Sequence, residues 1–400
     1  MTNLAVEIAG VRFPNPVVVN SSSLTKDMRR LRALAEAGAG GIITKTISPD
    51  PMKGTGSGFR AAFWEEGWGV AGDARLTMEQ GCELIAAARR ELDIPIIADL
   101  IGRSDDAGIW GESARRLEQA DAHMIELDLN GHPEGGLKLD VPESFGHFDV
   151  YSIGQEPAAT ARVVRAVCDA VSIPVVSKMT LRAPDILGVA RASAEAGAHV
   201  ITGVNALQGI RGIDIERGGR PVLPGFDTHS LGPICGPELY HLGLRWTMLL
   251  VTGVDRPYIS GSGIMNARNA IERIMLGAAA TAICSSIYYR GYGAVTETVE
   301  GIRAFMQRNG YDTIEDFRGK ALEFIAPRGS GDWTPTRPFV VDENAWREVG
   351  VDVFRRAEVE CACIRCDGDT VSFDPDECRG CGLPKFLAPH GVVEMRKVEA

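Results

Sequence analysis

The chain has 400 residues, 45% of them apolar and 24% charged, with a formal net charge of −11. That length and apolar share suit one large core plus a small appendage. The acidic balance, without clustered Lys and Arg, argues against a nucleic-acid or anionic-membrane surface. The start, Met1-Thr2-Asn3-Leu4-Ala5-Val6-Glu7, lacks a basic segment followed by an apolar one, and no run approaches about 18 uninterrupted apolar residues, so the expectation is a soluble cytoplasmic protein.

In chain order, strand-length apolar runs rich in β-branched residues lie at Pro16–Asn20, Gly41–Thr46, Ile94–Asp99, His123–Asp128, Ile173–Lys178, His199–Asn205, Pro257–Gly261 and Thr281–Ser285. Helical patterns separate them. The first, Asp27–Ala37, has apolar residues spaced to bury one face and a following Gly38 suited to a left-handed cap. Similar endings precede later strands: Gln119-Ala120-Asp121-Ala122, Glu195-Ala196-Gly197-Ala198 and Leu276-Gly277-Ala278-Ala279. One βα unit is being repeated, and eight such units favour a closed (β/α)8 barrel over an open doubly wound sheet.

Longer loops follow strands two (Ile47–Arg75), four (Leu129–Gln155) and six (Ala206–Pro233). All three sit after strand C-termini, where barrel active sites are built, so they are expected to form a lid or substrate pocket. The aromatics Trp64, Trp68, Trp110, Phe145, Phe148 and Tyr151 lie in or near such segments, placed either to stack on a flat ligand or to pack the lids.

The strand ends carry polar residues that a plain core would avoid. Lys45, followed by Thr46, and Lys178 occupy buried positions where an unpaired lysine is costly. Each faces either an anionic or electron-rich ring, or a structural ion partner. Ile259-Ser260-Gly261-Ser262-Gly263-Ile264 opens toward a helix near Asn266, letting backbone amides approach an anion; Cys284-Ser285-Ser286 ends the next strand. A phosphate at strands seven and eight matches the usual position in such barrels.

Beyond the barrel, Pro327–Pro335 is rich in Gly and Pro and reads as a linker. We expect a barrel over 1–325, a linker over 326–356 and a cysteine-rich module over 357–400. There, Cys363-Ile364-Arg365-Cys366 and Cys378-Arg379-Gly380-Cys381 form two CxxC pairs, with Cys361 to spare. This spacing suits four thiolates on one metal, either structural Zn²⁺ or an iron–sulfur cluster such as [4Fe-4S]. The residues from Cys378 onward also keep the frame of a ferredoxin motif, with Pro384 and Ala388 where two cysteines would stand.

With these residues in view, the chain resembles the FMN-binding barrel of dihydroorotate dehydrogenases and, more closely, of dihydropyrimidine dehydrogenases, over roughly residues 4–325. The resemblance implies FMN contacts from Lys45, Thr46 and Lys178, and a flavin phosphate held by Gly261, Ser262, Gly263, Cys284, Ser285 and Ser286. It also places Ser21 and Ser22 beneath the flavin and Asn205 on a ring-shaped substrate. Bacterial pyrimidine-reducing relatives carry a ferredoxin-like tail, and barrels of this family commonly pair as homodimers.

Family members read Glu-Leu-Asn-x-Ser-Cys-Pro after strand four, with the cysteine as acid opposite the flavin hydride. Here the aligned residues are Glu126-Leu127-Asp128-Leu129-Asn130-Gly131-His132, so the acid has become Gly131. His132 is the expected replacement, because imidazole titrates near neutrality, with Asp128, His147 and Tyr151 in reserve. Asp128, with Asn130 and Asn205, is expected to meet the substrate. An ionised carboxylate only accepts, so the substrate should present N–H or O–H groups or a cationic nitrogen.

The reading is an FMN-dependent oxidoreductase that transfers hydride to or from a ring carbon. Electrons would pass through a partner protein or NAD(P)H-oxidising subunit, since the remaining residues are too few for a dinucleotide-binding domain. The alternatives are redox-neutral or radical use of the flavin, and a non-catalytic subunit with a structural zinc tail.

Overall fold

The computed structural model describes residues 2–49, 60–63, 67–71, 75–102, 106–130, 152–210, 212–223, 231–326, 336–358, 361–374 and 376–397. They divide into two compact units, Met1–Phe324 and Ile325–Ala400.

The first unit is built on β1 (Val17–Val19), β2 (Gly41–Ile43), β3 (Ile96–Leu100), β4 (Met124–Asp128), β5 (Val175–Lys178), β6 (Val200–Gly203), β7 (Tyr258–Ser260) and β8 (Ala280–Ile283). Each pairs in parallel with its neighbours, β8 with β1, and β3 with β4, so the eight strands close into a barrel. The strand ranges fall inside the runs read from sequence, within one residue. These strands are buried along almost their whole length because side chains fill the barrel on one face and helices cover the other.

The surrounding helices are α1 (Met28–Glu36), α2 (Met78–Glu91), α3 (Ala107–Gln119), α4 (Pro157–Cys168), α5 (Ile186–Glu195), α6 (Tyr240–Gly253), α7 (Ala267–Met275), α8 (Ser285–Arg290) and α9 (Gly293–Asn309). Local chemistry sets their starts. Asp27 accepts from the Arg30 amide, Thr77 and Gln80 cap each other at α2, and Asn266 accepts from the Asn269 amide. The repeated helix-to-strand turn needs a left-handed residue: Gly38, Gly197 and Gly277 take φ of 93°, 110° and 95°, and Asp121 takes 73° in the same place. Arg89 Nε donates to both the carbonyl and the carboxylate of Asp121, which helps to hold that turn.

Trp110 is buried on α3 against Gly102, which makes it core rather than a ligand platform. The insertions after β2 and β6 meet in one antiparallel sheet. Its strands run in the order Leu207–Ile210, Leu231–Cys235, Trp68–Ala71, Arg60–Phe63, with Cys235 opposite Trp68. Most of the third insertion, with His132, His147 and Tyr151, lies outside the described residues.

In the second unit, Thr336–Val340 pairs antiparallel with Val393–Lys397, and Ile364–Asp367 with Thr370–Phe373. Phe354, Cys363, Ile364 and Val393 form a small core, with Trp346 against Phe354 and Phe373. The stretch read as a linker therefore differs from that expectation: part of it, from Thr336, forms strand and helix within this unit. Pro338 lies inside the strand Thr336–Val340, so the Pro signal of 327–335 runs on into it and conceals it from a reading of the sequence. Among the described residues, no helix is long and apolar enough to cross a membrane.

Candidate active site

A cleft of about 860 Å³, including its open mouth, lies at the C-terminal ends of the barrel strands. Of the residues expected to hold a cofactor, Ser21, Ser22, Lys45, Lys178, Ser262, Gly263, Cys284 and Ser285 line it, as does Asn205. Thr46, Gly261 and Ser286 are not among its lining residues.

Strand register assembles the charges below this cleft. Glu126 of β4 is aligned with Asp99 of β3, and Asp128 with Lys178 of β5. Alternation along a strand points Glu126 and Asp128 to the same face. Lys178 Nζ donates to Glu126 Oε1 at 2.8 Å and lies 3.9 Å from Asp99 Oδ2. Thr46 Oγ1 donates to Asp99 Oδ2 at 2.7 Å and is 3.3 Å from Ser21 Oγ.

All three charged groups are buried. Burial pushes the Asp99 and Glu126 carboxyls up against the opposing pull of Lys178, Glu126 to about 7. Burial alone would lower the Lys178 ammonium, but Asp99, Glu126 and Asp128 outweigh it and hold the amine above its ordinary value. One cation faces two carboxylates, and Asp99 Oδ1 and Glu126 Oε2 have no hydrogen-bond partner among the described residues.

At the neighbouring edge, Asn205 Nδ2 donates to Asp128 Oδ1 at 3.1 Å, and the Asn130 amide donates to the same oxygen at 3.1 Å. This unites the three expected substrate contacts. The Asn130 side-chain oxygen is buried with no partner among the described residues.

The anion end is shaped by backbone. Ser262 and Gly263 take φ of 68° and 73°. A Cβ at Gly263 would fall 2.4 Å from the Tyr240 nitrogen, and one at Gly261 would lie 3.2 Å from the Gly203 carbonyl. Ser262 Oγ donates to the Val204 carbonyl at 2.8 Å, tying β7 to β6. Trp68, from the inserted sheet, lines the cleft and donates from Nε1 to Ser285 Oγ at 3.0 Å. It stacks on Phe63 and tilts against Tyr288, so it serves both readings of the aromatics: it packs the lid and faces the cleft. Buried Ser286 Oγ has no partner among the described residues.

In the second unit, Cys363 is buried beside Cys361, 3.4 Å between sulfurs, and burial together with Cys361 and Cys378 pushes its thiol up. One cysteine from each CxxC pair, Cys363 and Cys378, is thus adjacent. Among the described residues, however, no set of three or more His, Cys, Asp or Glu is arranged to hold a metal.

The barrel sequence is 30% identical over 322 residues to a protein named "Dihydroorotate dehydrogenase B (NAD(+)), catalytic subunit" from Pyrococcus abyssi, covering 80% of this chain and 99% of that protein. The chain belongs to the dihydroorotate dehydrogenase family. The family model described as dihydroorotate dehydrogenase matches residues 145–306. The protein of the same name from Methanocaldococcus jannaschii is 29% identical over 323 residues, 80% of this chain and 98% of that one. The "NAD-dependent dihydropyrimidine dehydrogenase subunit PreA" of Escherichia coli K12 is 27% identical over 338 residues, 81% of this chain and 78% of that protein.

As a dihydroorotate dehydrogenase family member, the chain is a flavin-dependent oxidoreductase acting on CH–CH groups of a cyclic substrate. The family implies FMN, and the residues fit it. Ser262, Gly263, Lys45 and Lys178 line the cleft, and the Gly263 position, packed against the Tyr240 backbone, has no room for a Cβ.

Three contributors escaped the sequence reading of this family member. Asp99 reads from sequence as the end of an apolar strand; its signal is a carboxylate within Ile96-Ile97-Ala98-Asp99-Leu100, all buried. Cys235 lines the cleft from the insertion after β6, and no local pattern distinguished it. Arg273 sits on the inner face of α7, the face that its apolar spacing reserves for core.

Proposed function

We propose that this chain oxidises or reduces a ring C–C bond of a small N-heterocycle, with FMN bound in the cleft at the strand C-termini. The bound flavin supplies the chemistry by exchanging a hydride with a ring carbon of the substrate. Asp128 and Asn205 orient that ring: Asn205 donates to Asp128 Oδ1, which leaves the other carboxylate oxygen to accept an N–H from the substrate. Lys178, fixed by Glu126 and Asp99, presents a permanent positive charge to the cleft, where negative charge is stabilised. His132 moves the proton opposite the hydride, since position 131 is a glycine with none to give.

The observation that carries this reading is the convergence of Lys45, Lys178, Asn205 and the Ser262–Gly263 turn on one cleft. Two relatives carry names that mark them as a catalytic subunit and as a subunit of NAD-linked enzymes. A partner subunit that exchanges electrons with NAD(P)H is accordingly part of the proposal. We further propose that Cys363, Cys366, Cys378 and Cys381 bind a metal, iron–sulfur or zinc, supported by the paired spacing and by the adjacency of Cys363 and Cys378.

The experiment is purification without oxygen, with an absorbance spectrum and FMN, iron and zinc content per chain. Anaerobic mixing with dihydroorotate or a dihydropyrimidine follows. Bleaching of the visible flavin band by a cyclic ureide supports the reading. Absence of flavin, even after incubation with FMN, overturns it.

A further inference from the structure

Arg273 has a setting that the proposed chemistry does not use. Its side chain is 0% exposed and lies behind the Ser262–Gly263 turn instead of lining the cleft. One terminal nitrogen donates to the Ser262 carbonyl at 2.9 Å and to the Tyr240 carbonyl at 3.0 Å. The other donates to Thr247 Oγ1 at 3.1 Å, which in turn is 2.7 Å from Ser260 Oγ. The guanidinium also stands 5.7 Å from the Tyr240 ring centroid.

Its hydrogen-bond partners among the described residues are therefore carbonyl and hydroxyl oxygens, not carboxylates, and its Nε has none. The adjacent Glu272 is engaged elsewhere, by Tyr240 OH and by Arg268. Burial lowers the Arg273 guanidinium to about 10, against the opposing pull of Tyr258, Tyr240 and Glu272. A buried cation with no ion partner is expensive, and the fold makes room for it nonetheless. A Cβ at Gly243 would lie 2.3 Å from an Arg273 nitrogen. The turn that Arg273 grips is held at φ of 68° and 73°.

We infer that Arg273 is a positioning residue for the flavin phosphate: it provides the counter-charge from behind the Ser262–Gly263 turn and fixes that turn by gripping the Ser262 carbonyl, without touching the phosphate. The inference rests on the proposal that FMN occupies the cleft. A single charge at this remove, in a buried setting, changes affinity for a dianion by roughly 10- to 100-fold.

Riboflavin has the same ring as FMN and no phosphate, so it separates the charge effect from the scaffold. The test is fluorescence titration of flavin-stripped full-length protein with FMN and with riboflavin, for the native chain, Arg273→Gln and Arg273→Lys. Gln keeps an amide donor without the charge, and Lys keeps the charge.

The expected result is that the native chain prefers FMN, that Arg273→Gln loses roughly 10- to 100-fold in FMN affinity while riboflavin changes less than about twofold, and that Arg273→Lys retains most of the preference. Equal weakening of both flavins by Arg273→Gln, or no change in either, overturns the inference. If Arg273→Gln does not fold, Arg273→Lys decides: retained preference supports the counter-charge, and lost preference removes it. A native chain that binds neither flavin overturns the cofactor reading itself.

Discussion

The Lys178 ammonium donates to the Glu126 carboxylate at 2.8 Å in the interior of the barrel, and this pair is not balanced, because Asp99 adds a second buried carboxylate 3.9 Å away. These three buried groups therefore comprise two acids and one base. Glu126 titrates well above its ordinary 4.5, at about 7, first because it is buried. The folded chain binds this proton more tightly than the unfolded chain does. Stability from Glu126 is then complete below pH 4.5 and declines as pH rises toward 7, with a slope of up to about 1.4 kcal/mol per pH unit. Urea denaturation of the native chain and Glu126→Gln across this window checks it. The native chain should lose more stability over the window than the variant does.

Gly263→Ala should cost about 1–3 kcal/mol from backbone strain alone and should weaken FMN binding as well. The φ of 73° disfavours any side chain, and the added carbon would meet the Tyr240 backbone nitrogen at 2.4 Å, where no flexible group can move aside. A melting curve together with an FMN titration measures both. An alanine variant of native stability would mean that the turn adopts another form.

Asp128→Asn keeps the shape but removes a charged acceptor next to Asn205. Losing a hydrogen bond to a charged group is worth about 1.5–3 kcal/mol, so kcat/KM should fall roughly 10- to 100-fold. On the proposal that Asp128 meets the substrate, FMN affinity should stay within about twofold. If instead FMN is lost and turnover per bound flavin is kept, Asp128 belongs to the cofactor.

His132→Asn should reduce kcat by roughly 10²–10⁴, the range for removal of a general acid. The pH profile of kcat should lose one inflection. An unchanged profile would assign the proton to another group, with Asp128, His147 and Tyr151 next in line.

For the tail, Cys378→Ser should lower iron or zinc content per chain and leave FMN content unchanged. Elemental analysis of matched preparations reads this directly, and equal metal in both would remove Cys378 from the ligand set.

Much of the barrel was legible because its periodicity is strong. Seven of the eight β-branched runs end in a polar residue, and the Gly38, Asp121, Gly197 and Gly277 turns mark the repeat. Lys178, Asn205 and Ser262 were found by the same logic, since polar residues at strand ends stand out against apolar runs. Asp99 did not stand out, because a single carboxylate closing an apolar strand gives no hint of the Glu126 beside it until the register of β3 and β4 is known. Arg273 was hidden for a related reason: an arginine on a helix is ordinarily solvated, and only packing against Gly243 shows otherwise. The sheet made from two insertions was also invisible, since its strands Trp68–Ala71 and Leu231–Cys235 are far apart in the chain.

That sheet constrains how one wall of the cleft can be re-engineered. Trp68 reaches the cleft from one insertion and Cys235 from the other, and the two are opposite each other in the ladder. The two insertions are physically coupled: a graft that replaces one leaves the other with an unpaired edge beside the cleft. Transferring both segments together keeps the ladder between them intact.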